Sequence, residues 1–230
     1  FSFIVTILVL IFWGFWFLDN ILREFISNEI LLSLSFFWII FLLQTIIEIP
    51  FSYYFNFVIE ESFWFNKMTK KLFFIDILKS LILTLIIGWA ILALILFIYS
   101  KIWANFWIIA WGILSVFSIL MIMFYSSLIV PLFNKQTPLD DWELKTAIND
   151  FALKVGYKLE NIYVIDGSKR SNKANAYFSW LGKSKRIVLF DTLINDLTTE
   201  EIVWVLAHEI GHYKKKHTKQ MLVFSLIQTF

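Results

Sequence analysis

The 230-residue sequence contains no cysteine. This absence excludes disulfide bonds, catalysis by a thiolate and every zinc site that uses cysteine ligands. Histidine is also scarce, and the whole chain has three. Any metal site must therefore use histidine, aspartate or glutamate side chains.

Charged residues are also few. They make up 17% of the chain, whereas 59% of the residues are hydrophobic and the mean hydropathy is +0.73. Soluble domains contain about 25% charged and about 45–50% apolar residues. The composition therefore indicates an integral membrane protein.

Four uncharged apolar runs predict membrane helices, since a helix crosses the bilayer core in about 20 residues. They are Phe1–Leu18, Ile30–Ile47, Ser80–Ser100 and Ile102–Phe133. We predict a mainly α fold, with a multi-pass transmembrane helical bundle over residues 1–133. Residues 220–230 are predicted to begin a further membrane helix. Because the sequence begins with Phe and ends inside an apolar run, we expect it to be a fragment.

Lysine and arginine predict the orientation. Most of them lie between the second and third runs and in the polar region 134–219, and a chain that crosses at each run places both on one side. The positive-inside rule makes that side cytosolic. Acidic residues are interspersed with the basic ones, so we predict no nucleic-acid partner.

The polar region 134–219 is predicted to be a small α+β domain. Thr137 is predicted to cap a helix that has Pro138 at its first position and ends at Gly156. Strands are predicted at Asn161–Asp166, Asn175–Trp180 and Arg186–Asp191, the last two as a hairpin. The basic stretch Gly167–Ser171 lacks the spacing of a phosphate-binding loop, and we interpret it as a solvated turn.

The second helix of this region begins at a capping box, Thr198–Glu201, and is predicted to run to His217. It carries the motif H-E-x-x-H. His208 and His212 are four residues apart, so they lie one turn apart on one face and suit a single zinc ion. Glu209 lies about 100° round the helix, where it would act as general base in the attack of a zinc-bound water. The alternative is a chance match, since the motif is short.

A catalytic zinc site needs a third protein ligand. On a continuous helix His217 would lie about 180° from His208, so we do not expect it to be that ligand. Asp191 and Asp196 remain candidates only if they fold back. We therefore expect the third ligand beyond Phe230.

Five segments resemble, in order, the type I CAAX prenyl endopeptidases, which are integral-membrane zinc metalloproteases. They are Phe57–Thr69, Pro131–Leu139, Asp166–Phe178, Lys185–Ile194 and Val205–His212. The resemblance implies one Zn²⁺ per chain, held by His208, His212 and a glutamate on a later helix, with Glu209 as the catalytic residue. It implies seven membrane helices in the whole protein, of which this chain would carry roughly the second to the fifth and the start of the sixth.

The resemblance also implies the substrate and the compartment. The substrate would be a peptide or protein, with or without a prenyl group, that is cleaved near its C-terminus. The partner environment would be the lipid bilayer of the endoplasmic reticulum in a eukaryote, or of the inner membrane in a bacterium. In either case the protease domain would face the cytosol.

The stretch Asn175–Phe178 has two interpretations. It could be an exposed strand edge to which an extended peptide adds, with substrate contacts from Asn175, Ala176 and Tyr177. Otherwise it is an ordinary hairpin strand with Tyr177 in the core. Glu48, just before Pro50, departs from the family pattern, and its simplest explanation is a side chain that reaches the membrane surface.

Two other functions are open. A quality-control protease of the HtpX type shares the motif but has fewer membrane helices. A non-enzymatic transporter or scaffold with a coincidental motif is the other, although transporters often contain internal repeats, and this sequence has none that we detect.

Overall fold

The computed structural model describes residues 2–102, 104–156, 161–179 and 186–229. The chain is mainly helical with one small sheet, as the composition and the periodicity predict. It forms two compact units. The first comprises Phe1–Phe55 and Leu78–Phe106, and the second comprises Asn56–Ile77 and Trp107–Phe230.

The first apolar run is not one helix. It forms α1 (Ser2–Ile11) and α2 (Gly14–Phe25), which are separated at Trp13 by a left-handed backbone conformation with φ 58°. A Cβ on Gly14 would lie 2.9 Å from a Val9 methyl carbon, so the close approach at this break requires glycine. Neither helix is long enough to cross a bilayer by itself.

Three helical spans in the described ranges have the length and composition to cross a membrane, namely Glu29–Glu60, Lys70–Lys101 and Phe106–Phe133. The first contains α3 (Glu29–Tyr54), which Asn28 caps by accepting two backbone hydrogen bonds at 3.0 Å. The second is α4 (Lys70–Lys101). The third contains α5 (Phe106–Phe124), a π-helical segment (Tyr125–Ile129) and α6 (Val130–Phe133). These spans contain the last three predicted runs almost entirely.

The second unit contains a four-stranded sheet. Its strands are β1 (Gln136–Pro138), β2 (Asn161–Ile165), β3 (Ala176–Ser179) and β4 (Arg186–Phe190), in the order β1-β2-β4-β3. β4 pairs in parallel with β2 and antiparallel with β3. The predicted strands and the antiparallel pairing of β3 with β4 are confirmed, and the residues predicted to join them lie outside the described ranges.

The predicted start of the first helix of this unit was wrong. Thr137 and Pro138 belong to β1, where Thr137 pairs with Val164. Helix α7 (Trp142–Lys154) begins later, because Asp141 caps it by accepting a hydrogen bond from Leu144 N at 3.2 Å. Gly156 follows the helix with φ 67°, which confirms the predicted end.

Strand β4 lies at the centre of the hydrophobic core. Its residues Ile187, Val188 and Leu189 are fully buried. Three helices complete this part of the chain, namely α8 (Asp191–Asp196), α9 (Thr199–Lys214) and α10 (His217–Gln228). Apolar side chains of α7 and α9 belong to the same core cluster, so the sheet and these two helices are packed as one body.

The basic stretch Gly167–Ser171 is not a solvated turn. Arg170 forms a bidentate ion pair with Asp76 of α4, with N–O distances of 2.8 and 2.9 Å, and also donates to Phe133 O at 2.9 Å. Gly167 is buried, and a Cβ there would clash with the Phe190 ring. The stretch is therefore a packed connection between the sheet and two membrane-helix ends.

Leu206 offers a direct test of the core. It is completely buried in α9, so Leu206→Ala should reduce the free energy of unfolding by about 2–5 kcal/mol. The matched control is Trp204→Ala on the same helix, whose side chain is 77% exposed and should matter by less than about 1 kcal/mol. Thermal unfolding of the purified protein in detergent measures both. Equal midpoints for the two variants would contradict this packing.

The Arg170–Asp76 pair gives a second test. Asp76→Asn leaves a guanidinium that is 17% exposed without its charged partner, so we expect a loss of about 1–3 kcal/mol, reduced from the fully buried case by partial solvation. Limited trypsin digestion should then cleave faster at Lys169 and Arg170. Asp140→Asn, an exposed acid outside this pair, is the control and should leave the digestion rate unchanged.

Candidate metal centre

Helix α9 begins at the predicted capping box. The Glu201 carboxylate accepts hydrogen bonds from Thr198 N at 2.8 Å and from Thr198 Oγ1 at 2.9 Å, while Glu201 N donates to Thr198 Oγ1 at 3.4 Å. These bonds favour the charged carboxylate and lower the pKa of Glu201 from its ordinary value. The start of the helix is therefore fixed by its own first turn.

One side of α9 is fixed by burial. Ile202, Leu206 and Ile210 repeat every four residues and are at most 2% exposed. The helix packs against α7 and against β3. At about 100° per residue, a side chain two positions after a buried one lies on the opposite side of the helix. His208 and His212 are accordingly exposed.

The two histidines converge on one point. Nε2 of His208 and Nε2 of His212 are 3.1 Å apart. Two nitrogens on one tetrahedral zinc ion are about 3.3 Å apart when each Zn–N distance is about 2.0–2.1 Å. The pair therefore fits two ligand positions of a single zinc ion with a small adjustment of the rings.

Glu209 lies between the two histidines in sequence and is half-buried. At about 100° from His208 round the helix, its side chain projects from a different face than the two histidines. Histidine, aspartate and glutamate side chains of the described ranges do not gather into a group of three or more that could hold a metal. Asp191, one of the candidate third ligands, instead accepts hydrogen bonds from Ser168, and Asp196 ends α8.

The predicted continuous helix through His217 was wrong. Helix α9 ends at Lys214, and Lys216 adopts the left-handed conformation with φ 58° before α10 begins at His217. The reversal brings His217 back toward the motif, where its Nδ1 lies 3.0 Å from Nδ1 of His212. His217 thus meets the ring nitrogen of His212 that faces away from His208.

The predicted substrate strand, β3, lies at the edge of the sheet. Asn175 O accepts a hydrogen bond from Phe190 N of β4 at 3.0 Å. Because the carbonyl and the N–H of one trans peptide unit point in opposite directions, the N–H of Ala176 is directed to the open edge. There Asn175 Oδ1 accepts it at 2.8 Å. The N–H of Ala176 and the side chain of Asn175 therefore both lie at the open edge of β3.

Tyr177 has a different environment. Its main chain pairs with Val188 of β4, and its hydroxyl forms a 3.1 Å hydrogen bond with Ser126 Oγ. Gln136 Nε2 donates to the same hydroxyl at 3.4 Å and to Ser126 O at 3.1 Å. Burial raises the pKa of Tyr177. The side chain anchors β3 to the π-helical segment after α5, a role that the sequence alone did not indicate.

Comparison with known proteins matches both parts of the chain. Residues 1–135 match the family described as CAAX prenyl protease N-terminal, five membrane helices, and residues 138–230 match peptidase family M48. CAAX prenyl protease 1 of Saccharomyces cerevisiae is 49% identical over 86% of this chain and 44% of its own length. The homologue from Dictyostelium discoideum is 44% identical over 91% of the chain and 50% of its own length.

Among solved structures, the crystal structure of S. mikatae Ste24p aligns with a TM-score of 0.87 at 44% identity, over 96% of this chain and 54% of that one. The chain spans about half the length of the curated relatives it matches. On the two family matches, which together cover nearly every residue, the chain belongs to the M48 metallopeptidases, with the N-terminal membrane region of the CAAX prenyl proteases.

Proposed function

We propose that this chain carries the zinc-binding and proton-transfer half of a membrane endopeptidase that cleaves proteins near their C-terminus. The observation that carries the proposal is the convergence of the His208 and His212 Nε2 atoms at 3.1 Å, with Glu209 beside them on the same helix. Family M48 implies a metal. The donor set favours zinc, since two imidazoles and a carboxylate are its usual ligands at a catalytic site.

Each residue has one role. His208 and His212 would hold the metal through Nε2, and a glutamate outside these 230 residues would supply the third ligand. When bound, zinc polarises the scissile carbonyl and acidifies the attacking water. Glu209 accepts the proton of that water as general base and returns it to the departing amine as general acid. The exposed position of the two histidines leaves this face of α9 accessible to a peptide.

The edge of β3 is the proposed peptide site. An added strand would take its hydrogen bonds from the outward main-chain groups of Ala176 and, two residues later, Phe178, because these alternate with the groups that pair with β4. The Asn175 carboxamide must then leave the Ala176 N–H and can bond the incoming peptide instead. α9 packs against β3, so an added strand lies next to the motif helix.

The substrate and compartment follow from the relatives. Those reported above are eukaryotic and are named CAAX prenyl proteases, which supports a C-terminal CAAX substrate, with or without a prenyl group. It also favours the endoplasmic reticulum membrane over a bacterial one. The concentration of lysine and arginine in residues 134–219 supports a cytosolic position for the metal centre.

The metal and the base are tested separately in the full-length protein, purified in detergent. The wild type should contain about one zinc per chain, and His208→Ala should lose it. Glu209→Gln should retain zinc but reduce peptide cleavage by about 10²–10⁴-fold, since it removes the proton acceptor. Metal analysis and a peptide cleavage assay measure the two effects. Absence of zinc from the wild type, or full activity of Glu209→Gln, would refute the proposed mechanism.

The strand-edge proposal is tested on the substrate, which avoids changing the fold. Single N-methylation of successive peptide bonds, away from the scissile bond, should raise KM at every second position, because alternate N–H groups of an added strand face β3. The peptides methylated at the intervening positions are the matched controls. A KM that does not alternate along the peptide would exclude strand addition while leaving the zinc chemistry intact.

A further inference from the structure

We propose that His217 is a positioning residue for the metal centre, where its Nδ1 accepts a hydrogen bond from Nδ1–H of His212. This inference rests on the proposed function, since it assigns a role relative to the zinc that His212 would hold. His217 is the only histidine of the chain outside H-E-x-x-H. Its Nδ1 contacts Nδ1 of His212, which is one of the two histidines of the motif.

The two ring nitrogens of His212 face different partners. Nε2 faces Nε2 of His208 at 3.1 Å, and Nδ1 faces Nδ1 of His217 at 3.0 Å. For Nε2 to bind a metal it must be unprotonated, so the ring proton is on Nδ1. Nδ1–H then points at His217, whose own Nδ1 accepts it. The tautomer that binds zinc is the one that this contact stabilises.

The backbone between His212 and His217 is interrupted, and the interruption allows the two rings to meet. On a continuous helix a residue five positions after His212 lies about 140° round the axis, and the two rings could not meet. They meet because the helix is interrupted at Lys216, which adopts φ 58° although it is not glycine. Such conformations are disfavoured for L-residues and persist where the surrounding structure requires them. Here the interruption turns the chain so that His217 reaches His212.

Helix α10 is anchored by a contact outside the turn that precedes it. Trp111 Nε1 of α5 donates a 2.9 Å hydrogen bond to Leu226 O near the end of α10. Both residues belong to the second unit. His217 is the first residue of α10 and is half-buried. Its position is therefore set from the α5 side and does not depend only on the short turn after α9.

His217 is not placed to be the third zinc ligand. Its Nδ1 lies at Nδ1 of His212, whereas the two Nε2 atoms that would hold the zinc face each other. Metal-binding histidines commonly donate their second ring N–H to an outer acceptor, and loss of that acceptor weakens metal binding by about 10–100-fold.

The test is zinc affinity, measured by competition with a zinc-binding dye in the full-length protein. His217→Ala should raise the zinc Kd by about 10–100-fold. His217→Asn should restore much of the affinity, because its carboxamide oxygen can occupy the place of Nδ1 and accept the same hydrogen bond. Lys215→Ala, an exposed neighbour in the turn, is the matched control and should keep the wild-type Kd. Without zinc, the wild type and the three variants should unfold with the same midpoint.

The outcomes separate this inference from the proposed function. A wild-type protein without zinc refutes both. Zinc that is lost in His208→Ala but bound with unchanged Kd in His217→Ala refutes only the role of His217. A Kd for His217→Asn as high as for His217→Ala also overturns it, since the hydrogen-bond acceptor would then not matter. Wild-type-like zinc-free unfolding together with recovery in His217→Asn supports the positioning role.

Discussion

The burial of one side of α9 is the constraint on which the metal centre depends. Ile202, Leu206 and Ile210 can be removed from water only if that side faces the core of the second unit. The helix periodicity then leaves His208 and His212 no orientation but outward. Neither histidine needs a partner to point it. The hydrophobic core therefore performs the first step of building the site, and the two ligands share one face because they are one turn apart.

Orientation of a helix does not orient a ring. An exposed histidine rotates about its side-chain torsions and exchanges its two tautomers, and only one of these presents Nε2 to a metal. Something outside the motif must select it. The interruption at Lys216 supplies that element, because it converts a residue that would lie on the wrong side of the helix into one that meets Nδ1 of His212. The four-residue spacing places His208 and His212 on one face of α9. On our proposal, the turn after the helix selects the tautomer of His212.

The sequence was sufficient for features that depend on local chemistry. The last three apolar runs predicted helical spans long enough to cross a membrane, the capping box predicted the start of α9, and apolar stretches between turn residues predicted β3 and β4. It failed where the outcome depended on distant groups. Thr137 and Asp141 are both good caps, and pairing of β1 with β2 decided between them. Nothing local distinguishes Arg170 from a solvated arginine, because its partner, Asp76, is 94 residues away. The left-handed Lys216 is likewise invisible in a run of three lysines.

The edge strand β3 offers a way to select the scissile peptide bond without recognising many substrate side chains. On the proposed mode of binding, an added strand is held by main-chain hydrogen bonds to Ala176 and Phe178, and strand residues advance by about 3.3 Å. The register between β3 and α9 then sets which peptide bond reaches Glu209, counted in residues from the bonded position. Tyr177 bears on this register because its hydroxyl joins β3 to Ser126 and Gln136. Selection of a bond near the C-terminus of the substrate would then require a second surface of the protease. That surface would hold the substrate's C-terminus at a fixed number of peptide residues from the part bonded to β3.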